Sequence, residues 1–152
     1  MADISPDFIP CVLIPLKLHY LILPNTTIAE VIPLPKLKSS DMSTPFWVGQ
    51  YDWQDHTLPV IDLDSLIEDK PSACDDANKL CIVRGINTQA ALNNYAFPCY
   101  GAAQLIHLTE SALKVIDTPE QSDYIHCQLQ IGNKIAYIPN LDAIEIVISK
   151  KK

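Results

Sequence analysis

Apolar and polar positions alternate with a period of two over much of this chain, and that period belongs to strands rather than helices. Ile125, Cys127, Leu129 and Ile131 alternate with His126, Gln128 and Gln130, which predicts one buried face and one wet face. Gly132-Asn133 then supplies a two-residue hairpin turn before Ile135 resumes the run. Near the start, Val12, Ile14, Leu16, Leu18, Tyr20 and Ile22 are apolar at even positions, and a turn near Lys17-Leu18-His19 divides them into two short strands. Leu80-Cys81-Ile82-Val83 is an unbroken apolar run, which predicts a strand covered on both sides. The most informative stretch runs from Trp47 to Ile67. It reads as strand, a polar turn at Gln54-Asp55-His56, a second strand with Leu58, Val60 and Ile61, then the start of a helix.

Helical signals are brief. Thr26 or Thr27 is placed to cap a short helix carrying Ile28, Val31 and Ile32, with Glu30 as its early acid. Pro33 and Pro35 stop it, because neither can donate an amide to a further turn. Asp62 or Asp64 caps a second short helix containing Leu66 and Ile67, and Asn140 does the same for Ile144. Twelve prolines against four glycines suit many short elements joined by fixed turns.

The chain also reads as one module written twice. Tyr20 to Ile32, with Pro24, aligns with Tyr95 to Ile106, with Pro98. Leu63-Asp64-Ser65-Leu66 aligns with Leu141-Asp142-Ala143-Ile144, a shift of 78 positions (63 to 141). That shift sets Trp53 against Ile131 and Asp55 against Asn133. The expected halves are 8–67 and 79–148, joined by a charged, Pro- and Ser-containing connector at 68–78 and followed by a basic tail at 149–152.

Composition narrows the chemistry. A 48% apolar share with 19% charged residues over 152 positions suits a single packed domain. The net charge of −7 and the lone arginine, Arg84, argue against nucleic acid, whose phosphates need clustered cations. The longest apolar run, Cys11 to Leu23, is broken by Pro15, Lys17 and His19, so no membrane insertion is expected. Five cysteines without a C-x-x-C spacing fit free thiols in a reducing cytoplasm. No zinc spacing and no glycine-rich phosphate loop occurs, so no cofactor is expected. Asp62 and Asp64 read as helix caps rather than as paired acid–base carboxylates. His126 and Cys127, adjacent on a strand, point to opposite faces and cannot form a nucleophilic pair. Arg84 either clamps a carboxylate or ends its strand in solvent.

The order Gly49, Asp52, Gln54-Asp55, Leu58-Pro59-Val60-Ile61-Asp62-Leu63 resembles the signature hairpin of CheW-like chemotaxis coupling domains. Leu23-Pro24 followed by Ile28-Ala29-Glu30-Val31 is similar to a second segment of that family, and the resemblance spans about Phe8 to Ile148. It implies a mainly β fold of two SH3-like five-stranded β-barrels side by side, with a few short helices. It also implies a cytoplasmic, non-enzymatic adaptor that couples a chemoreceptor tip to the regulatory domain of a histidine kinase. Exposed apolar residues of the first barrel would meet the kinase, and the groove between barrels would meet the receptor. The partner-binding residues it points to are Glu30, Trp53, Gln54, Asp55 and His56. Trp53 is then either an exposed anchor or a core residue packed between barrels, whereas Trp47 belongs to the core. Gln54-Asp55 stands where the family typically has Arg-Gly, so an ion pair to Glu30 becomes at most a hydrogen bond from a neutral side chain. In this and in Asn94 to Tyr100, the chain looks like a divergent coupling protein, similar to accessory members of type IV pilus chemosensory systems of twitching motility. Two rivals stand beside this reading: an adaptor of the same fold with a single partner, and a small cysteine-dependent enzyme.

Overall fold

The computed structural model describes residues 8–17, 20–38, 46–68, 76–86, 93–109, 114–116, 124–131 and 134–150. The strands are β1 (Phe8–Pro15), β2 (Tyr20–Pro24), β3 (Ile28–Pro33), β4 (Trp47–Trp53), β5 (His56–Ile61), β6 (Lys79–Arg84), β7 (Asn94–Cys99), β8 (Gln104–Thr109), β9 (Lys114–Ile116), β10 (Ile125–Ile131) and β11 (Lys134–Pro139). Two helices, α1 (Leu63–Glu68) and α2 (Leu141–Lys150), follow the two hairpins, and a 3₁₀ turn at Asn25–Thr27 joins β2 to β3. The expected Gly132-Asn133 turn, the end of the basic tail and most of the connector lie outside the described residues.

The strands form a six-stranded sheet, β8-β1-β2-β11-β10-β9, and a five-stranded sheet, β3-β6-β7-β5-β4. The expected pair of five-stranded closed barrels is therefore two sheets of unequal size, neither of them a closed ladder. Matching β1–β5 with β6, β7, β8, β10 and β11 makes the first five strands of the larger sheet and the whole of the smaller follow one order. Each module thus sends its first hairpin into the sheet built by the other. Parallel pairings, Tyr20 with Ala136 and Val60 with Ala96, stitch the exchange.

The 78-position shift holds down to single hydrogen bonds. The amide of Asp62 donates to Phe46 O at 2.7 Å, and that of Asn140 to Tyr124 O at 2.8 Å. Ser65 N donates to Asp62 Oδ1 at 3.3 Å and Ala143 N to Asn140 Oδ1 at 3.2 Å, so Asp62 and Asn140 cap α1 and α2 as expected. Asp64 does not cap; its carboxylate accepts the amide of Lys17 at 2.7 Å.

Exchange makes the inner strands two-faced. Val12, Ile14, Leu21, Leu23, Cys81, Val83, Tyr95 and Phe97 point into one core shared by both sheets and both helices. The residues between them, Cys11, Leu13 and Ile22 on one side and Leu80, Ile82 and Ala96 on the other, fill a private core in each sheet. That is why Leu80 to Val83 is apolar without a break. Each fully buried valine, leucine, isoleucine or phenylalanine among them contributes about 1.5–3 kcal/mol, more than a typical neutral hydrogen bond at the surface.

Bulges move side chains between cores. In β10 a register shift lies between Ile125 and Cys127, and in β4 one lies between Trp47 and Gly49, again 78 positions apart (47 to 125). Ile125 and Trp47 consequently enter the shared core, whereas Leu129 enters one private core and Tyr51 and Trp53 pack on the other. The simple alternation expected for 125–131 is corrected by this bulge: Ile125 and Leu129 serve different cores.

A bulge also explains the expected helix at Ile28 to Ile32, which is strand β3. Ile28 pairs with Val83 and Glu30 with Ile82, leaving Ala29 as the extra residue. The three-residue spacing of Ile28 and Val31, which looked helical, is the spacing a bulge imposes on one strand face. Both residues pack on the shared core, and β-branched side chains favour such a surface.

Candidate functional site

The hairpin β4–β5 turns through Gln54 and Asp55, with φ of 47° and 65°. Left-handed values at both central residues suit the right-handed twist of a two-residue hairpin, though neither residue has the freedom of glycine there. His56 lies outside the turn, as the first residue of β5, paired with Trp53. Gln54, Asp55 and His56 are exposed, so the hairpin tip presents one amide, one carboxylate and one imidazole to solvent.

Trp53 and Glu30 are brought together. The Trp53 indole Nε1–H donates to Glu30 Oε1 at 2.9 Å, across the two outermost strands of the five-stranded sheet. Trp53 is half-buried on the rim of that sheet's private core, not between the sheets. Trp47 is the tryptophan that enters the shared core, as expected. Glu30 therefore takes its hydrogen bond from the residue next to Gln54, and from a ring that also packs. An indole donor to a carboxylate is charge-assisted on one side only, so it orients the ring without requiring a second ion.

The rest of this seam was not foreseen. Lys38 and Gln50 exchange backbone hydrogen bonds at 2.8 and 2.9 Å, tying the chain after β3 to the outer edge of β4. Gly49 allows the approach: a Cβ there would sit 2.5 Å from Lys38 O. Lys38 Nζ is ion-paired to Asp52, and Thr57 Oγ1 donates to Asp52 Oδ1 at 2.8 Å. These partners, the Lys38 ammonium first, hold the Asp52 carboxyl below its ordinary range. Lys38 sits in a proline-containing stretch with no strand period, so only the glycine offered a sequence signal.

Arg84 ends β6 exposed, as one of its two expected roles has it, but its Nη1 also donates to the carbonyl oxygens of Thr26 at 2.9 Å and Ile28 at 2.8 Å, so a clamp exists that grips backbone rather than a carboxylate. A second polar feature lies away from the hairpin. Glu145, fully buried on α2, accepts the amide of Ile86 at 2.9 and 3.0 Å and the Tyr95 hydroxyl at 3.2 Å. Its counterpart in the first module is Ile67.

Large exposed apolar side chains among the described residues are Ile86, Leu105 and Ile135, all in the second module. In the first module Val48, Tyr51 and Trp53 are half-buried on the rim of the smaller sheet's private core. The Cys81, Cys99 and Cys11 thiols are buried, and Cys127 is partly so. Burial pushes all four up, Cys99 to about 12, which leaves little thiolate near neutral pH. No group of metal-ligating side chains occurs among the described residues, and no helix there is long and apolar enough to cross a membrane.

A strand-exchanged pair of sheets, with a hairpin seam at the rim of one, defines a class. Residues 10–146 match the CheW-like domain model, and the chain belongs to that family. Among solved structures it is similar to the scaffolding protein TtCheW from Thermoanaerobacter tengcongensis, with a TM-score of 0.72 at 15% identity, over 93% of this chain and 90% of that one. No curated protein sequence matches it significantly.

Proposed function

We propose that this chain is a non-enzymatic, cytoplasmic chemosensory adaptor that couples a chemoreceptor tip to the regulatory domain of a histidine kinase. The observation that carries the reading is the Trp53–Glu30 hydrogen bond, which presents an aromatic anchor at fixed orientation on the family's signature hairpin. Tryptophan held in place loses little entropy on docking, and such residues dominate interface energetics. Gln54, Asp55 and His56 surround it as the polar rim. The scaffolding role printed for the structurally similar TtCheW supports the same reading.

Each sheet is further inferred to be an SH3-like barrel in outline. The chain running on from the outer strand reaches the opposite edge in both: at Lys38 against Gln50, and at β9 against Gln128 to Gln130. The replacement of the family arginine by Gln54, together with the indole partner of Glu30, fits an accessory coupling protein of a type IV pilus system. Among the described residues, the four raised and wholly or partly buried thiols weigh against a cysteine-dependent enzyme.

The test is a titration of the chain with a purified kinase regulatory domain, followed by kinase assays with and without receptor. Trp53→Ala is expected to weaken binding by about 2 kcal/mol, roughly thirtyfold. Binding that is untouched by Trp53→Ala and Glu30→Ala together would sink the docking site. Kinase binding without receptor-dependent activation would assign the chain to tethering a single partner.

A further inference from the structure

We infer that Arg84 is a positioning residue for the docking hairpin: it pins the bulge in β3 whose placement turns Glu30 toward Trp53. The inference rests on the Trp53–Glu30 seam being the docking site. Its geometry is independent of any partner.

The two carbonyls that Arg84 holds, those of Thr26 and Ile28, bracket the exit from the 3₁₀ turn and the entry to β3. The next residue, Ala29, is the unpaired one of the bulge. Before the bulge Ile28 faces the shared core. After it, Glu30 lies opposite Ile82 and on the same strand face as Ile32, both of which belong to the private core whose rim Trp53 covers. In a regular strand, residues two apart share a face, so Ile28 and Glu30 would have to point the same way. Burying Ile28 would then carry the carboxylate of Glu30 away from the indole. A one-residue slip reverses every side chain beyond it, and the bulge is where such a slip is decided.

A guanidinium suits this task. It is planar, permanently charged and able to donate from one nitrogen to two acceptors, so it fixes the spacing of the two carbonyls. The second module holds its corresponding junction differently. There Tyr100 N donates to Pro15 O at 2.9 Å, and Pro15 occupies the strand end that matches Arg84. The lone arginine of the chain therefore stands at the junction that leads to the proposed docking residues.

The chain has two tryptophans, so the indole N–H region of a ¹H–¹⁵N spectrum carries two signals, which Trp53→Phe assigns. Glu30→Ala is expected to move the Trp53 signal upfield as its acceptor is lost. Arg84→Ala is expected to move it in the same direction while leaving the Trp47 signal, deep in the shared core, in place. Arg84→Lys, which keeps one charged donor, is expected to fall between. A Trp53 signal that stays at its original position in Arg84→Ala, while Glu30→Ala displaces it, would overturn the inference. Should Arg84→Ala lose the Trp47 signal through unfolding, Arg84→Gln, too short to reach both carbonyls, decides by the same criterion. All spectra are recorded on the free chain. Failure of the docking reading therefore appears only in the titration, and failure of the clamp only here.

Discussion

The two modules share a hydrogen-bond plan but close their sheets by different means. In the second module a strand of its own, β9, lies along β10 through three successive residue pairs, Lys114 to Ile116 against Gln130 to Gln128. Among the described residues of the first, the same place is held by a backbone bridge at Lys38, an exposed ion pair and an indole–carboxylate hydrogen bond. A ladder of backbone bonds is insensitive to side-chain identity. A side-chain seam depends on every residue in it. Repetition supplied the frame, and the side-chain seam lies where docking is proposed.

The interior shows the complementary difference. Ile67 of α1 and Glu145 of α2 occupy matching positions, yet one is an ordinary core residue and the other a buried carboxylate that accepts from the Ile86 amide and the Tyr95 hydroxyl. Making the modules more alike at this point should do the most damage. Glu145→Ala strands the Ile86 amide and the Tyr95 hydroxyl and is expected to cost about 3 kcal/mol, read as a lower urea midpoint at constant slope. A loss below about 1 kcal/mol would mean that water replaces the carboxylate without penalty.

Gly49→Ala comes next. Its methyl would meet Lys38 O, so either the bridge opens or the strands shift, at about 2 kcal/mol. The matching change at Cys127, which already carries a side chain, has no such consequence: Cys127→Ala should cost less. Asp55→Gly is expected to act in the opposite direction. Relief of a left-handed non-glycine residue should raise stability by about 1 kcal/mol, and thermal melting reads the sign directly.

The smallest effect concerns pH. The Asp52 carboxyl is depressed in the folded chain, so its contribution is present above its unfolded value, about 3.9, and is lost as pH falls toward the folded one. Because the group is solvent-exposed, the loss is modest and screened by salt. Comparing Asp52→Asn with the parent between pH 5 and acid unfolding checks it. The two curves should converge at the acid end, and curves that stay parallel would remove the ion pair from the seam.

Much of this was legible because backbone periodicity and caps are local. The two-faced strand at Leu80 to Val83, the caps at Asp62 and Asn140, and the repeat itself all follow from short-range patterns. What escaped depends on where a strand gains one residue. Ala29 carries no mark of a bulge, so the spacing of Ile28 and Val31 imitated a helix, and Ile125 was grouped with neighbours that serve another core. The hairpin itself was legible as strand, turn and strand, though His56 opens β5 rather than closing the turn, and the partner of Glu30 was not legible. Which of two adjacent side chains, Trp53 or Gln54, reaches across a seam is set by turn geometry, and that depends on two positive φ angles no composition rule supplies. The role of Glu145 was equally silent, since an acid on a helix reads as solvated until the opposite strand is known.

Because each module lends its leading hairpin to the other, the shared interior cannot be divided along the chain. Heat or denaturant should therefore meet one interlocked body that melts in a single step, with calorimetric and van't Hoff enthalpies in agreement. A partner docked at the proposed seam would accordingly pull on strands drawn from both modules.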